Sequence, residues 1–272
     1  MEVDDAPRQR PLVAAAGVDI GSAIIASMAV SPFILAIDRA IIEAASGTKA
    51  LFPGIASSTL DMVRRPQRAL LFNPAYWMVA GVYAVTYAVA NGIDTLCDRY
   101  KASSAVHGAV TLLGTTASNT TACIAKDVAF TRMYGAAAAA GGSFPLTTIS
   151  LFGLRDLTTI ASAFTLPKVM AAGFVSTGIL PDFKRAEATA QLVSPVGMQL
   201  VCAPLHLLAL TYYNIPGAST VERAKAVART TPATTLAFAI RIAPAFGIGC
   251  TVNSALTSYG HKATKAWYYA SH

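Results

Sequence analysis

Charged residues are rare inside the apolar stretches of this 272-residue chain, and the few that are there could bind a solute. An ionisable side chain within a membrane span is costly, so it usually marks a substrate path or an internal ion pair. Arg155 and Arg241 are the main candidates, because a guanidinium group binds a carboxylate or a phosphate through two parallel hydrogen bonds. If the protein transports a solute, we expect these arginines and Tyr83 to bind it in a central cavity. The alternative is that each arginine only pairs with an acid of the bundle. The candidate acids are Asp94, Asp127 and Asp156.

Two pairs of adjacent opposite charges, Asp38-Arg39 and Lys126-Asp127, lie near the ends of apolar stretches. Charged side chains in such places more often extend to the membrane surface or form ion pairs than take part in transport, and we expect the same here. His206 follows Pro204 within an apolar stretch. A hydrogen-bonded histidine within the bundle fits this position better than a proton-linked switch, which remains the alternative.

No catalytic or metal-binding motif accompanies these charges. The sequence lacks the G-x-S-x-G, H-E-x-x-H, G-x-G-x-x-G and P-loop patterns, so we do not expect an enzyme. The four cysteines lie far apart in apolar stretches, as buried thiols do, and they form no CxxC pair. The histidines are also separated from the cysteines. We therefore predict no metal site and no cofactor.

The composition is that of an integral membrane protein. Hydrophobic residues make up 54% of the chain and charged residues 13%, against about 25% charged in an ordinary soluble domain. The net charge of +7 comes from basic residues scattered singly, without a basic stripe, so we predict no nucleic-acid partner. Six stretches without acidic or basic residues approach or exceed the ~20 residues that a helix needs to cross a bilayer. They are residues 20–37, 69–93, 102–125, 133–154, 188–221 and 242–260.

These stretches predict an all-α membrane protein of one domain, residues 1–272, with six transmembrane helices. The predicted helices lie at about 14–45, 72–98, 104–134, 144–165, 186–213 and 232–260.

Prolines recur at matching places in these helices and indicate an internal repeat. One set is predicted to open the even-numbered helices, where a proline costs little because its missing N–H has no helical partner. This set is Pro74, Pro145 and Pro232. The odd-numbered helices share segments that align without gaps and begin at Pro32, Ala125 and Pro204. We interpret the chain as three pseudo-repeated two-helix units, at about 12–100, 101–185 and 186–272, as is typical of transporters.

Three two-helix units with these motifs resemble the mitochondrial carrier family. Residues 125–132, AlaLysAspValAlaPheThrArg, match that family's odd-helix motif at Asp127 and Arg132. Residues 32–39 match it at Pro32 and Arg39, and residues 241–248 resemble its sixth helix. The resemblance implies a carrier-like fold with several spans in the mitochondrial inner membrane. It also implies membrane lipids, including cardiolipin, as partners.

In the carrier family, charges in the odd-helix motifs form a ring of salt bridges that closes one side. The resemblance places Ile34, Asp127 and His206 at its acidic positions. It places Ile37, Phe130 and Ala209 at its basic positions. With one charge left, we expect no bridge between repeats at these degenerate gate positions. Alternating access needs two closed states held by different contacts, so we expect this chain not to transport in that way.

The resulting hypothesis is a non-transporting, carrier-fold accessory subunit of a mitochondrial inner-membrane complex. A respiratory-chain complex or ATP synthase would supply the other subunits as its partners. The alternative is a divergent mitochondrial solute carrier that exchanges a small anionic metabolite. In that case Tyr83, Arg155 and Arg241 line the cavity, and other charges have taken over the gate. The candidates for that gate are Asp38, Arg39 and Lys126.

Overall fold

The computed structural model describes residues 12–136, 144–164 and 166–271, and the regular structure of these residues is helical throughout. Ten α-helices are described within these ranges. They are α1 (Leu12–Ala45), α2 (Leu51–Arg64), α3 (Pro74–Arg99), α4 (Ser104–Tyr134), α5 (Leu146–Phe164), α6 (Leu166–Ser176), α7 (Phe183–Gly197), α8 (Gln199–Asn214), α9 (Thr220–Ile242) and α10 (Thr251–Ser271). Two π-helical segments, Gln67–Leu71 and Ala243–Cys250, lead into α3 and join α9 to α10.

The first helix, α1, is the centre of the bundle. It packs against α2, α3, α9, α10 and the π-helical segment Ala243–Cys250. Its buried side includes the small residues Ala23, Ala26 and Ser27, which let neighbouring helices approach closely. Ala23 and Ala26 pack there against Tyr87 of α3, with Cys250 and Val252 beside them. The small residues on this side of α1 therefore allow α3 and α10 to pack closely against it.

Three helical segments of the described residues are long and apolar enough to cross a membrane. They are Leu12–Ala45, Phe183–Asn214 and Thr220–Ala270. A fourth would be a bent pair, Leu146–Ser162 with Leu166–Ser176, whose two parts meet at 45°. The six stretches of the sequence are defined by the absence of charge alone, whereas α3 and α4 also contain Thr, Asn and Gly residues that lower their mean hydropathy. The structure therefore supports an all-helical membrane protein without confirming six spans or the carrier layout.

The predicted prolines differ in what they do. Pro74 lies in the first turn of α3, where the Asn73 side chain accepts a hydrogen bond from the backbone N–H of Ala75 at 3.0 Å. Pro145 directly precedes α5. The expectation that Pro232 opens a helix is wrong, because it lies inside α9.

The helix that contains Pro232 begins earlier because its first turn is capped. Ser219 and Glu222 form a capping box in which the side chain of each accepts a hydrogen bond from the backbone N–H of the other. This pattern satisfies two N–H groups that would otherwise lack partners at a helix start. The spacing Ser-x-x-Glu was visible in the sequence. The division into three repeats, at 12–100, 101–185 and 186–272, stays a prediction.

Candidate functional site

Six charged side chains from four helices meet inside the bundle, and three are acids and three are bases. The set, here called the charge network, is Asp38, Lys126, Asp127, Arg155, Asp156 and Arg241. Five of the six residues are buried, and the side chain of Arg241 keeps 22% of its surface exposed. Charges removed from water are tolerated only when each has a partner. The equal number of acids and bases meets that condition.

The charge network is continuous from α9 through α1 and α4 to α5. Arg241 Nη1 donates to Asp38 Oδ1 at 2.7 Å, and Lys126 Nζ donates to Asp38 Oδ2. Lys126 Nζ also lies 2.8 Å from Asp127 Oδ1. Arg155 Nη2 then bridges two acids, lying 2.5 Å from Asp127 Oδ2 and 2.5 Å from Asp156 Oδ1. The acids of α1 and α4 are thus each shared between two bases.

Helix geometry explains how neighbouring residues reach different partners. Successive residues of an α-helix point about 100° apart, since one turn takes 3.6 residues. Lys126 therefore reaches α1 while Asp127 reaches α5. Arg39, which follows Asp38 on α1, points away from the charge network and pairs with Glu43 at 2.6 Å.

Each base of the charge network has an aromatic ring one turn away on its own helix. Lys126 Nζ lies 5.2 Å from the Phe130 ring centroid. The guanidinium carbons of Arg155 and Arg241 lie 6.0 and 4.7 Å from the centroids of Phe152 and Phe238. A cation over a ring face gains about 0.5–2 kcal/mol, more when water is excluded. All three rings are themselves buried beside the ion pairs.

His206 of α8 adds a neutral partner to the charge network. Its ring stacks on Phe152 at a centroid distance of 5.1 Å and meets Phe238 edge-on at 5.4 Å. Its Nδ1 lies 3.4 Å from Arg155 Nη1, and since an arginine can only donate, Nδ1 accepts. The structure thus gives this residue the hydrogen-bonded place in the bundle that its sequence suggested.

Two polar atoms of the charge network are buried and have no hydrogen-bond partner among the residues that the structure describes. One is a donor, Arg155 Nε, and the other is an acceptor, Asp156 Oδ2. Most buried polar groups in proteins are paired, so each such atom calls for an explanation. The space between Asp38, Arg155 and Arg241 is too narrow to hold a water molecule. This part of the bundle is closed, and its unpaired atoms are a donor and an acceptor on adjacent residues.

The structure brings together some of the predicted site residues and separates others. Arg155 and Arg241 both belong to the charge network, and the acids beside Arg155 are two of the three candidates. Arg241 pairs with Asp38 instead, which was not a candidate. Asp94 pairs with neither arginine, because it lies at the bundle surface 2.7 Å from His107 of α4. Tyr83 packs against the core beside Tyr87 and lies within electrostatic range of Arg241 and Asp38.

The degenerate gate positions lie close to one another but form no ring of charges. Ile34, Phe130 and Ala209 belong to one hydrophobic cluster, and Ile37 packs in the next one. The one charged side chain at these positions, Asp127, pairs with Lys126 and Arg155, which both lie within the same predicted unit, residues 101–185. Asp127 bridges α4 and α5, and Asp38 bridges α1, α4 and α9. The charges of Asp38-Arg39 and Lys126-Asp127 are paired, as expected, and the pair between Lys126 and Asp38 joins α4 to α1.

A family model described as "Probable citrulline exporter" matches residues 22–259. That range covers most of the chain and the whole charge network, so the protein belongs to this family. No curated protein matches the chain. The family and the long apolar helices together identify a multi-pass membrane protein of a transport family.

The family match corrects two conclusions drawn from the sequence. The resemblance to the mitochondrial carrier family is wrong, since the chain belongs to a different family. Prolines at helix starts and mixed charges in membrane helices arise for general physical reasons, so short motifs built from them are weak family markers. The accessory-subunit function is also wrong, because the family is one of exporters. That conclusion assumed that bridges must lie at carrier positions, whereas this chain uses Asp38, Lys126 and Arg155 among others.

Proposed function

We propose that this protein exports citrulline, or an amino acid of the same charge type, with the charge network as the binding centre. The observation that carries this proposal is a buried network with equal numbers of acids and bases and two unpaired atoms. Citrulline has an α-carboxylate, an α-ammonium group and a neutral ureido group that both donates and accepts hydrogen bonds. Each of these groups has a counterpart in the charge network.

Charge balance favours a zwitterion over an anion. A substrate with no net charge leaves the sum of charges in the buried site unchanged. An anionic metabolite would leave one buried charge uncompensated, which costs several kcal/mol inside a membrane. The family name and the electrostatics therefore support the same class of substrate.

The geometry suggests a role for each part of the site. Arg241 is the most exposed member of the charge network, so it is the group that an entering carboxylate meets first. Binding there would take the place of Asp38, whose released carboxylate can then bind the substrate ammonium group. The ureido group fits the unpaired atoms, with its oxygen accepting from Arg155 Nε and its N–H groups donating to Asp156 Oδ2.

Such an exchange of partners would also open the path. The ion pair between Arg241 and Asp38 holds α9 against α1, and the site beside it is closed. A ligand shifts a conformational equilibrium only by the difference in its affinity for the two states. A substrate that replaces the contacts of the ion pair can supply that difference.

Six membrane crossings are part of this proposal. The helices α3 and α4 have 26 and 31 residues, enough to span a bilayer core of about 30 Å. Both pack within the bundle, so their polar residues need not face lipid. The crossings would be α1, α3, α4, α5 with α6, α7 with α8, and α9 with α10. We propose a transporter without an enzymatic step that is surrounded by membrane lipids. The mitochondrial location rested on the resemblance to the carrier family and has no other support.

Exchange of labelled citrulline by the purified protein in liposomes tests this function. We expect saturable exchange that unlabelled citrulline inhibits and that phosphate and dicarboxylates do not. Arg241→Ala should abolish it. Arg39→Ala is the matched control, because Arg39 is an arginine near Asp38 in sequence that pairs only with Glu43 among the described acids. Exchange of anions in preference to citrulline, or no citrulline exchange at all, would contradict the proposal.

A further inference from the structure

A second polar cluster ties α1, α3 and α10 together at the other end of α1. His261 Nε2 lies 2.8 Å from Asp19 Oδ1, and Thr95 Oγ1 donates to Asp19 Oδ2 at 2.7 Å. Asn91 and Asn253 exchange two hydrogen bonds, at 3.0 and 2.8 Å. Asn91 also donates to the backbone carbonyl of Asp19 at 3.1 Å. The proposed function uses none of these residues.

The two clusters lie on the same pair of helical elements. Asp19 and Asp38 are nineteen residues apart on α1, which at ~1.5 Å per residue is about 28 Å, close to the thickness of a bilayer core. The chain from α9 to α10 runs antiparallel to α1, with Arg241 opposite Asp38 and His261 opposite Asp19. The π-helical segment Ala243–Cys250 lies between the two contacts. Any movement that separates one pair therefore acts on the other.

The second cluster differs from the charge network in its charge balance. Asp19 is 2% exposed, and among the described residues His261 is the basic group that contacts it. The remaining contacts come from the hydroxyl of Thr95 and the amide of Asn91, which carry no charge. A buried carboxylate without a counter-charge is costly in a membrane. A neutral imidazole beside an ionised carboxylate carries a net charge of one unit. The pair is therefore electrically neutral only when it binds one further proton.

The other titratable groups of these helices leave this conclusion in place. On α1, the next such residue within the described part is Asp38. On α3, Asp94 pairs with His107 of α4, Cys97 is a buried thiol, and Asp98 and Arg99 follow Thr95 by one turn. On α10, Lys262 and Lys265 follow His261.

The imidazole lies nearer to water than the carboxylate, but its second nitrogen is buried. The side chain of His261 is 23% exposed, whereas that of Asp19 is 3% exposed. The second ring nitrogen of His261, Nδ1, is buried and has no hydrogen-bond partner within the described part of the chain. Histidine is the side chain whose charge ordinarily changes near neutral pH. Because Nε2 contacts Asp19 and Nδ1 is buried, the pair exchanges a proton with water only when α10 and α1 move apart, and it holds the proton while the bundle is closed.

We propose that the Asp19–His261 pair is a proton-binding site that couples the export of citrulline to the movement of a proton. The inference rests on the proposed function, because citrulline is the solute to which the proton is coupled. The pair takes a proton from water when the path is open to one side and returns it to water on the other side. No covalent bond forms with the substrate. The coupling runs through α1 and the chain from α9 to α10, which carry both the proton site and the charge network.

The test uses the purified full chain in liposomes that contain an internal pH indicator. In the wild type, a citrulline gradient should change the internal pH, and an imposed pH gradient should drive labelled citrulline across the membrane. The variant Asp19→Asn with His261→Gln keeps polar side chains at both positions and leaves no unpaired charge. It should exchange labelled citrulline at equal concentrations but lose the citrulline-driven pH change. His107→Gln is the matched control, since His107 also pairs with an aspartate but lies at the surface.

Each outcome decides the question. If a citrulline gradient drives citrulline across the membrane in the wild type without any pH change, the proton site is overturned and the proposed function stays in place, whether or not a variant folds. The same holds if the double variant still moves protons with citrulline. If the wild type moves no citrulline but dissipates a pH gradient in a way that depends on His261, the proposed function fails and the proton site stands. If the wild type moves neither citrulline nor protons, both proposals fail.

Discussion

The guanidinium group of Arg241 lies 2.7 Å from the carboxylate of Asp38, although 203 residues separate them in the sequence. This contact joins the last long helical segment to the central helix of the bundle. Asp38 is also bound by Lys126, so one carboxylate connects three helices. Removing one partner of such a buried set leaves the others uncompensated. Single and compensating substitutions should therefore behave very differently.

Lys126→Met should destabilise the protein by about 3–5 kcal/mol, because it leaves more buried acids than bases. Adding Asp127→Asn restores the balance and should recover part of the loss, although Arg155 then loses an ionic partner. Thermal unfolding in detergent measures both changes. Lys225→Met, at an exposed position of α9, is the control and should have little effect. Equal unfolding temperatures for the single and double variants would argue against a charge-balance effect.

Close packing between α10 and α1 leads to a second prediction. A Cβ atom at Gly260 would lie 2.6 Å from Val18 Cγ1, too close for ordinary contact. Gly260→Ala should therefore destabilise the protein by about 1–3 kcal/mol through overpacking. Gly92→Ala is the matched control, because no atom outside its own helix backbone and chain neighbours lies within 4 Å of that position.

Val18→Ala should rescue the Gly260 variant by removing the methyl group that clashes. The double variant then separates overpacking from a change in helix propensity, since alanine favours a helix more than glycine does. Thermal unfolding of the four proteins gives the coupling energy. If Val18→Ala adds its own destabilisation without any rescue, the contact is not the cause.

The positions of the helices along the chain were easier to predict from the sequence than the partners of their charged side chains. Stretches without charge predicted α4 at 104–134, and the structure has Ser104–Tyr134. Arg155 and Arg241 were recognised because a charge in an apolar stretch is conspicuous. Asp38 and Lys126 were expected to extend to the membrane surface or to pair, and which partners they have depends on the rotation of each helix about its axis. The spacing of residues along the sequence does not determine that rotation.

Asp156→Asn should change which substrate charge the site accepts. The substitution gives the charge network an excess of one positive charge while Asp127 still pairs with Arg155. N-acetylcitrulline has the carboxylate but no ammonium group, so it should become a better substrate relative to citrulline. Competition between the two compounds in the liposome exchange assay measures the ratio. Asp61→Asn, at an exposed position of α2, should leave the ratio unchanged.

A selectivity prediction follows from the two unpaired atoms of the site. Arg155 Nε and Asp156 Oδ2 are placed on adjacent residues as a buried donor and acceptor, and a ureido group can satisfy both. Norvaline has the same α-amino acid head but no ureido group, so the wild type should prefer citrulline to norvaline.

A lysine at position 155 keeps the charge but lacks the Nε–H donor and the planar, forked geometry of arginine. Hydrogen bonds that involve a charged group contribute about 1.5–3 kcal/mol, so Arg155→Lys should reduce the preference for citrulline by about tenfold or more. Inhibition constants of both compounds in the exchange assay give this ratio for each protein. If Arg155→Lys weakens citrulline and norvaline equally, Arg155 does not bind the ureido group, and its role is limited to holding Asp127 and Asp156.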